Sequence, residues 1–296
     1  MEKQQILIKN IELLSEITES EKRMKTEGGK QPSIQAVEHI IDLLKQIVFP
    51  GYFGSEISNA ESRYYHIGVC MEALEKDLKE QIFLSFMSFK GEKVCEEETD
   101  DIALRFIDTI PEIKRVLYTD IEAMSKSDPA VTAYGEIIFC YPIVQVMLHH
   151  RVAHALLQLG VPVLPRIISE MAHSKTGIDI HPGAQIGEYF SIDHGTGVVI
   201  GETCVIGNHV TLYQGVTLGA KKFTFNENGQ PANVPRHPII EDNVTIYSNS
   251  SILGRITIGH DTVVGGNIWL TESVKPHSKI IQQKAVTTSF TDGAGI

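Results

Sequence analysis

From Ile180 onward the chain repeats in sixes. Ile180, Ile186, Ile192, Val198, Cys204, Val210 and Val216 are six residues apart, and Ile240, Ile246, Ile252, Ile258, Val264 and Leu270 continue the spacing. A second register supports the first: Ile200, Ile206, Leu212 and Leu218, then Val244, Ile256, Ile268 and Val274. An amphipathic helix repeats near 3.6 residues and a strand alternates at two, so neither produces this beat. Short strands joined by turns and stacked coil on coil do. Three hexads close a triangular prism with its aliphatics inside, and each coil covers the backbone edge its neighbour leaves unpaired. The alternative, a β-sandwich with accidental spacing, does not explain two unbroken runs.

Between the runs, 220-AKKFTFNENGQPANVPRH-237 is polar, rich in Pro, Asn and Gly, and has no beat. It reads as a loop projecting from the prism, and long loops of this kind are often functional. The first 172 residues have a different period. Segments such as 36-AVEHIIDLLKQIV-48 and 65-YHIGVCMEALEKDLKEQIFLSFM-87 place apolar residues at three-to-four spacing, which predicts amphipathic helices. Pro111 in 109-TIPEIKRVLYTDIEAM-124 reads as a first-turn proline opening a helix. A break follows at 125-SKSDPAV-131, and the apolar run 136–160 is interrupted near Pro142. The expected organisation is α+β: an all-helical domain over 1–172, a parallel β-helix over 173–280 with a projecting loop at 220–237, and a flexible tail over 281–296.

The formal net charge is -11, and from Ile178 onward 7 Lys and Arg face 10 Asp and Glu. Neither half is basic, which argues against nucleic acid or an anionic membrane as partner. The N-terminal MEKQQILIKNIELL lacks the apolar core of a signal peptide, and no run reaches the length of a membrane span. Cys70, Cys95, Cys140 and Cys204 show neither metal nor disulfide spacing. Mostly buried free thiols in a reducing cytoplasm are expected. His150 and His154 stand at i, i+4 without a third ligand and read as packing residues, so no metal is expected.

The segments 128-DPA-130, 150-HRVAH-154, 179-DIHPGAQIG-187, 193-DHGTGVVIGET-203, 212-LYQGVTLG-219 and 236-RHP-238 carry the chemistry-bearing side chains. In this order they resemble the hexapeptide-repeat acyltransferases, and within them the serine acetyltransferases, over about residues 105–275. The resemblance implies a left-handed β-helix, where the usual preference for right-handed crossovers would have predicted the other hand. It also implies direct acetyl transfer from acetyl-CoA to L-serine in a ternary complex. Neutral imidazole suits a hydroxyl proton near pH 7, and the resemblance makes His194 the general base with Asp179 as its partner. Asp128 and Asp193 would bind the amino group, and Arg236 with His237 the carboxylate, a pairing that suits a bidentate guanidinium. His237 would also share in the proton chemistry. Glu202 matches a position beside these groups.

The family's acceptor site lies between subunits of a trimer, which stacks into a dimer of trimers. The donor would lie along Gly219-Ala220, Ser248 and Gly266. Ser248, Asn249, Asn267 and Trp269 depart from the family's Gly/Ala-rich turns there, and 280-IIQQKAV-286 replaces the usual GxPAR segment. The tail 289-SFTDGAGI-296 resembles the arm by which these enzymes dock into O-acetylserine sulfhydrylase, with the Ile296 carboxylate imitating a substrate.

Each residue also has a plainer reading. Asp193-His194 would be a hydrogen-bonded turn pair, Asp179 a turn residue, Asp128 a helix cap, and Arg236 and His237 solvated loop residues. Other functions on a similar prism are acetyl transfer to a sugar, an antibiotic or another amino acid, a zinc carbonic anhydrase, and a scaffold that only binds sulfhydrylase.

Overall fold

Three-to-four apolar spacing folds the first half into helices, and the six-residue beat folds the second into a prism. The computed structural model describes residues 2–24, 31–89, 94–222, 225, 229, 232 and 234–283. The expected tail beyond 283, including Ile296, lies outside the described residues. The helices are α1 (Glu2–Ser15), α2 (Glu19–Met24), α3 (Ile34–Val48), α4 (Ala60–Phe89), α5 (Glu96–Ser127), α6 (Tyr134–Cys140), α7 (Pro142–Gln158) and α8 (Leu164–Thr176). Ser33 caps α3 by accepting the Ala36 N–H at 3.3 Å. Pro142 opens α7 in its first turn, where no N–H is needed.

Pro111 departs from expectation. It sits inside α5 rather than opening a helix. A proline there forfeits one backbone bond and costs about 3 kcal/mol. The helix runs on because Phe106, Ile110, Ile113 and Leu117 are all buried in the core.

Among the described residues the prism has fourteen short strands, all paired in parallel. The first side stacks β1 (Asp179–Ile180), β4 (Val199–Ile200), β7 (Thr217–Gly219), β10 (Ser251–Leu253) and β13 (Trp269–Leu270). The second stacks β2 (Gln185–Ile186), β5 (Val205–Ile206), β8 (Ile239–Ile240) and β11 (Thr257–Ile258). The third stacks β3 (Ser191–Asp193), β6 (Thr211–Tyr213), β9 (Thr245–Ile246), β12 (Val263–Val264) and β14 (Lys279–Ile280). Most of the expected inward residues are buried, among them Ile192, Val198, Ile200, Val210, Leu212 and Val264, while Ile186, Ile256, Ile268, Leu270 and Val274 are half-buried. Each fully buried aliphatic stabilises the fold by about 1.5–3 kcal/mol before ordering entropy is counted.

The coils are not all the same length. Asp179 pairs with Val199 twenty residues on, whereas Val199 pairs with Thr217 eighteen residues on. The two extra residues fall between β3 and β4, in the stretch Asp193-His194-Gly195-Thr196-Gly197. The beat passes through this insertion unbroken because each strand buries two residues spaced by two, for example Ile178 with Ile180 and Val198 with Ile200. From Ile192 to Val198 the run changes from one inward position to the other.

A buried ion pair ties the helices to the first coil. Arg151 on α7 reaches both carboxylate oxygens of Asp120 on α5 and donates to the carbonyls of Ile186 and Gly187. Asp120 also accepts the Phe190 N–H at 3.1 Å. Of the four free thiols, Cys70 and Cys204 are buried while Cys95 and Cys140 are exposed, so only half match expectation. Among the described residues no helix is long and apolar enough to cross a membrane.

Candidate active site

The longer turn lifts His194 off the prism at the corner between the third and first sides. Its φ is 57° and Gly195 follows at 86°. A Cβ on Gly195 would stand 2.4 Å from Ile178 Cδ1, so only glycine lets this corner close over the core. The imidazole is exposed, with Nδ1 3.8 Å from the Asp193 carboxylate. Asp128, the residue that ends α5, faces the same corner. Its carboxylate accepts the Tyr141 hydroxyl at 2.6 Å and the Ala130 N–H at 2.8 Å. These bonds, Tyr141 first, with His194 nearby, hold Asp128 below the usual carboxylate range. The same bond pushes the Tyr141 phenol up to about 12. Tyr213 is Asp193's register partner in the next coil, and its ring stacks on Tyr247 with centroids 4.8 Å apart. One corner therefore presents two carboxylates and an imidazole.

A second cluster forms at the corner between the first and second sides, where the loop returns. Thr203 is its hub. Its hydroxyl oxygen accepts the Arg236 N–H at 2.9 Å and the His237 N–H at 3.1 Å. Its own N–H and hydroxyl both reach His237 Nδ1, at 3.0 and 2.9 Å. An Nδ1 that accepts two bonds carries no proton, so the neutral ring holds its proton on Nε2. Burial first, then Arg236, lowers the His237 pKa to about 4, which keeps the ring neutral. The ring lies over Gly201, where a Cβ would meet Cδ2 at 2.0 Å. Arg236 pairs with Glu202, and Arg255 donates to the carbonyls of Thr203 and His237, strapping the loop to the coil. On the first side, the Asp179 carboxylate lies with His173 and Glu170, their ligand atoms all within 4.8 Å.

The site residues expected from sequence thus fall into two groups. Asp128, Asp193 and His194 gather at one corner, while Glu202, Arg236 and His237 gather at another. No hydrogen bond or ion pair among the described residues joins His194 to Asp179, Arg236 or His237. The donor residues divide in the same way. Ser248 and Gly266 continue the column of His194 through the ladder bonds Asn249 N–H to Gln214 and Asn267 N–H to Ser248. Gly219 and Ala220 lie at the loop's exit on the other corner, beside a cavity of about 190 Å³ lined by Lys221, Lys222, Arg236 and Arg255.

Tyr141, Tyr213, Tyr247, Thr203 and Arg255 were not anticipated. The tyrosines at 213 and 247 become visible once Asp193 is followed down its register. Cys204 was expected to point inward and take no part in acyl transfer. It is buried, and burial pushes its thiol up to about 12.

No protein-family model matches the sequence. The chain is 43% identical over 274 residues to a protein of Synechococcus elongatus described as "Serine acetyltransferase, plasmid", over 90% of this chain and 86% of that one. It is also 43% identical over 167 residues to the serine acetyltransferase of Bacillus subtilis, over 56% of this chain and 73% of the relative. Among solved structures it is similar to serine acetyltransferase isoform 3 of Entamoeba histolytica in complex with cysteine. That match has a TM-score of 0.72 and 31% identity, over 89% of this chain and 85% of that chain. With relatives this similar along nearly the whole chain, and a helix-then-prism fold shared with a solved member, the chain belongs to the serine acetyltransferase family.

Proposed function

We propose that the chain is a cytoplasmic serine O-acetyltransferase that converts L-serine and acetyl-CoA to O-acetyl-L-serine and CoA, the first step from serine to cysteine. One observation carries the reading: the chain presents two complementary half-sites on two corners of one prism. The His194 corner offers carboxylates for an ammonium and a base for a hydroxyl. The His237 corner offers a guanidinium and an N–H donor for a carboxylate. A zwitterionic amino acid fits between them when the first corner of one copy meets the second corner of another, as in a closed trimer or a dimer of trimers. The cysteine bound by the Entamoeba relative differs from serine only in its side-chain heteroatom.

In this site Asp128 and Asp193 hold the ammonium, Arg236 the carboxylate, and Glu202 keeps the guanidinium in place. His194 takes the hydroxyl proton while the serine oxygen attacks the thioester carbonyl, and Asp179 of a neighbouring copy steadies the imidazolium. Collapse of the tetrahedral intermediate expels the CoA thiolate, which recovers the proton from His194. His237, neutral with its proton on Nε2, donates a hydrogen bond and moves no proton. The thioester lies along Ser248 and Gly266, and the cationic cavity beside Gly219 and Ala220 receives the phosphates of CoA.

Release of CoA with L-serine, L-homoserine and a sugar as competing acceptors tests the reading. Turnover with serine is expected to dominate. A preferred sugar, or no thiol release with any acceptor, contradicts it. The tail ending at Ile296 is proposed to dock into O-acetylserine sulfhydrylase. Deleting Ile296 is expected to abolish co-sedimentation with that enzyme and leave serine turnover unchanged; retained binding rules the arm out.

A further inference from the structure

The third corner of the prism, between the second and third sides, has no part in either half-site. In each coil it carries a non-glycine residue in the left-handed region: Tyr189, His209, Asn243, Asp261 and His277. Backbone bonds stack these corners, with Asp261 N–H donating to Asp242 at 3.0 Å and His277 N–H to His260 at 2.9 Å. The ladder thus sets His277, on the last coil, directly against His260 and Asp261 on the coil before. His260 Nδ1 lies 2.7 Å from Asp261 Oδ2, and His277 Nδ1 lies 3.7 Å from the same oxygen. The three ligand atoms all fall within 4.8 Å of one another. A four-coordinate zinc about 2.0–2.2 Å from nitrogen and oxygen ligands spaces those atoms about 3.4 Å apart, inside the observed spread.

We propose that His260, Asp261 and His277 bind one divalent ion of the zinc class, with solvent completing its coordination. Two imidazoles and a carboxylate form a donor set suited to such ions. The surroundings favour the carboxylate as a ligand: Asn243 occupies the same corner of the preceding coil, with its side chain near the Asp261 carboxylate, the position outer partners take at metal sites. His260 is fixed in turn by its N–H, which donates to Glu241 at 2.8 Å. All three side chains are partly exposed, so an ion reaches them without opening the fold. A simple His260–Asp261 hydrogen bond accounts for one histidine only. It leaves unexplained why the His277 ring stands edge-on to His260, with centroids 4.9 Å apart at 87°.

The ion would join the fourth coil to the fifth. Among the described residues, β14, the last strand of the third side, pairs with β12 alone. An open strand edge at the end of a solenoid is its weakest element, and a metal clip two residues before β14 would hold that coil down.

The test is titration of ZnCl2 into the untagged full-length protein at pH 7.5 in a non-chelating buffer, followed by calorimetry. One ion per chain is expected. His277→Asn and Asp261→Asn should each weaken binding at least about tenfold. Asparagine tolerates the left-handed backbone at both positions, so the corner keeps its shape. Zinc should also slow hydrogen exchange at Lys279 and Ile280 in the wild type and not in His277→Asn. Absence of binding, or wild-type affinity in His277→Asn, overturns the site; the latter is the outcome if zinc sits with His173 and Asp179 instead. Binding without slowed exchange overturns the clip. Neither substituted residue belongs to the acetyl-transfer half-sites, so the result is independent of that reading.

Discussion

His237 Nδ1 receives both the N–H and the hydroxyl of Thr203, and that pair of bonds decides what the imidazole can do. With Nδ1 occupied and the pKa lowered to about 4, the ring stays a neutral Nε2–H donor at every pH above about 5. Thr203→Val removes the hydroxyl that donates to Nδ1 and also orders the Arg236 and His237 amides. The Thr203 N–H still reaches Nδ1, and burial and Arg236 still disfavour the charged ring, so the His237 pKa stays low. The wild type should show no loss of kcat/KM from this group between pH 6.5 and 5. Thr203→Val should keep that flat profile but raise the serine KM about tenfold or more, because the Arg236 and His237 amides lose their acceptor, and Thr203→Ser should restore the wild-type KM. A wild-type serine KM in the valine protein would remove Thr203 from this role. His194, Asp193, Arg236 and His237 were legible in the sequence because they sit in ordered motifs. Thr203 was not, since its importance lies in bonds to residues 33 and 34 positions away.

Among the elements, the prism was the most legible, because its inward aliphatics must recur wherever a side is completed. The two-residue insertion that lifts His194 was hidden by the same regularity, since paired inward positions let the beat step across it. Pro111 misled for a different reason. A local start signal loses to the tertiary burial of Phe106, Ile110 and Ile113 on a 32-residue helix. Helices and prism meet at Asp120, whose carboxylate is held by Arg151 and by the Phe190 N–H. Asp120→Ala would leave the Arg151 guanidinium buried without its partner, at a cost of about 3–5 kcal/mol. A clearly lower thermal midpoint is expected, with the melting of helices and prism uncoupled. An unchanged midpoint would show that the pair is not what joins them.

For the whole molecule, the central claim is that one chain carries both halves of an acceptor site and completes neither. The residue types of the site could be read from the sequence. Which of them meet could not, because that depends on the side of the prism each occupies and on how copies pack. The direct measurement is complementation between two inactive variants. His194→Ala removes the base from one corner, and Arg236→Ala removes the carboxylate ligand from the other. Each alone is expected to lose about 10²-fold or more in turnover at sub-saturating serine. When the two are unfolded together and reassembled, each mixed interface that joins an intact His194 corner to an intact Arg236 corner rebuilds a complete site. With random mixing in a closed ring this returns about one quarter of wild-type activity. Activity no greater than the mean of the two separate variants would contradict the account.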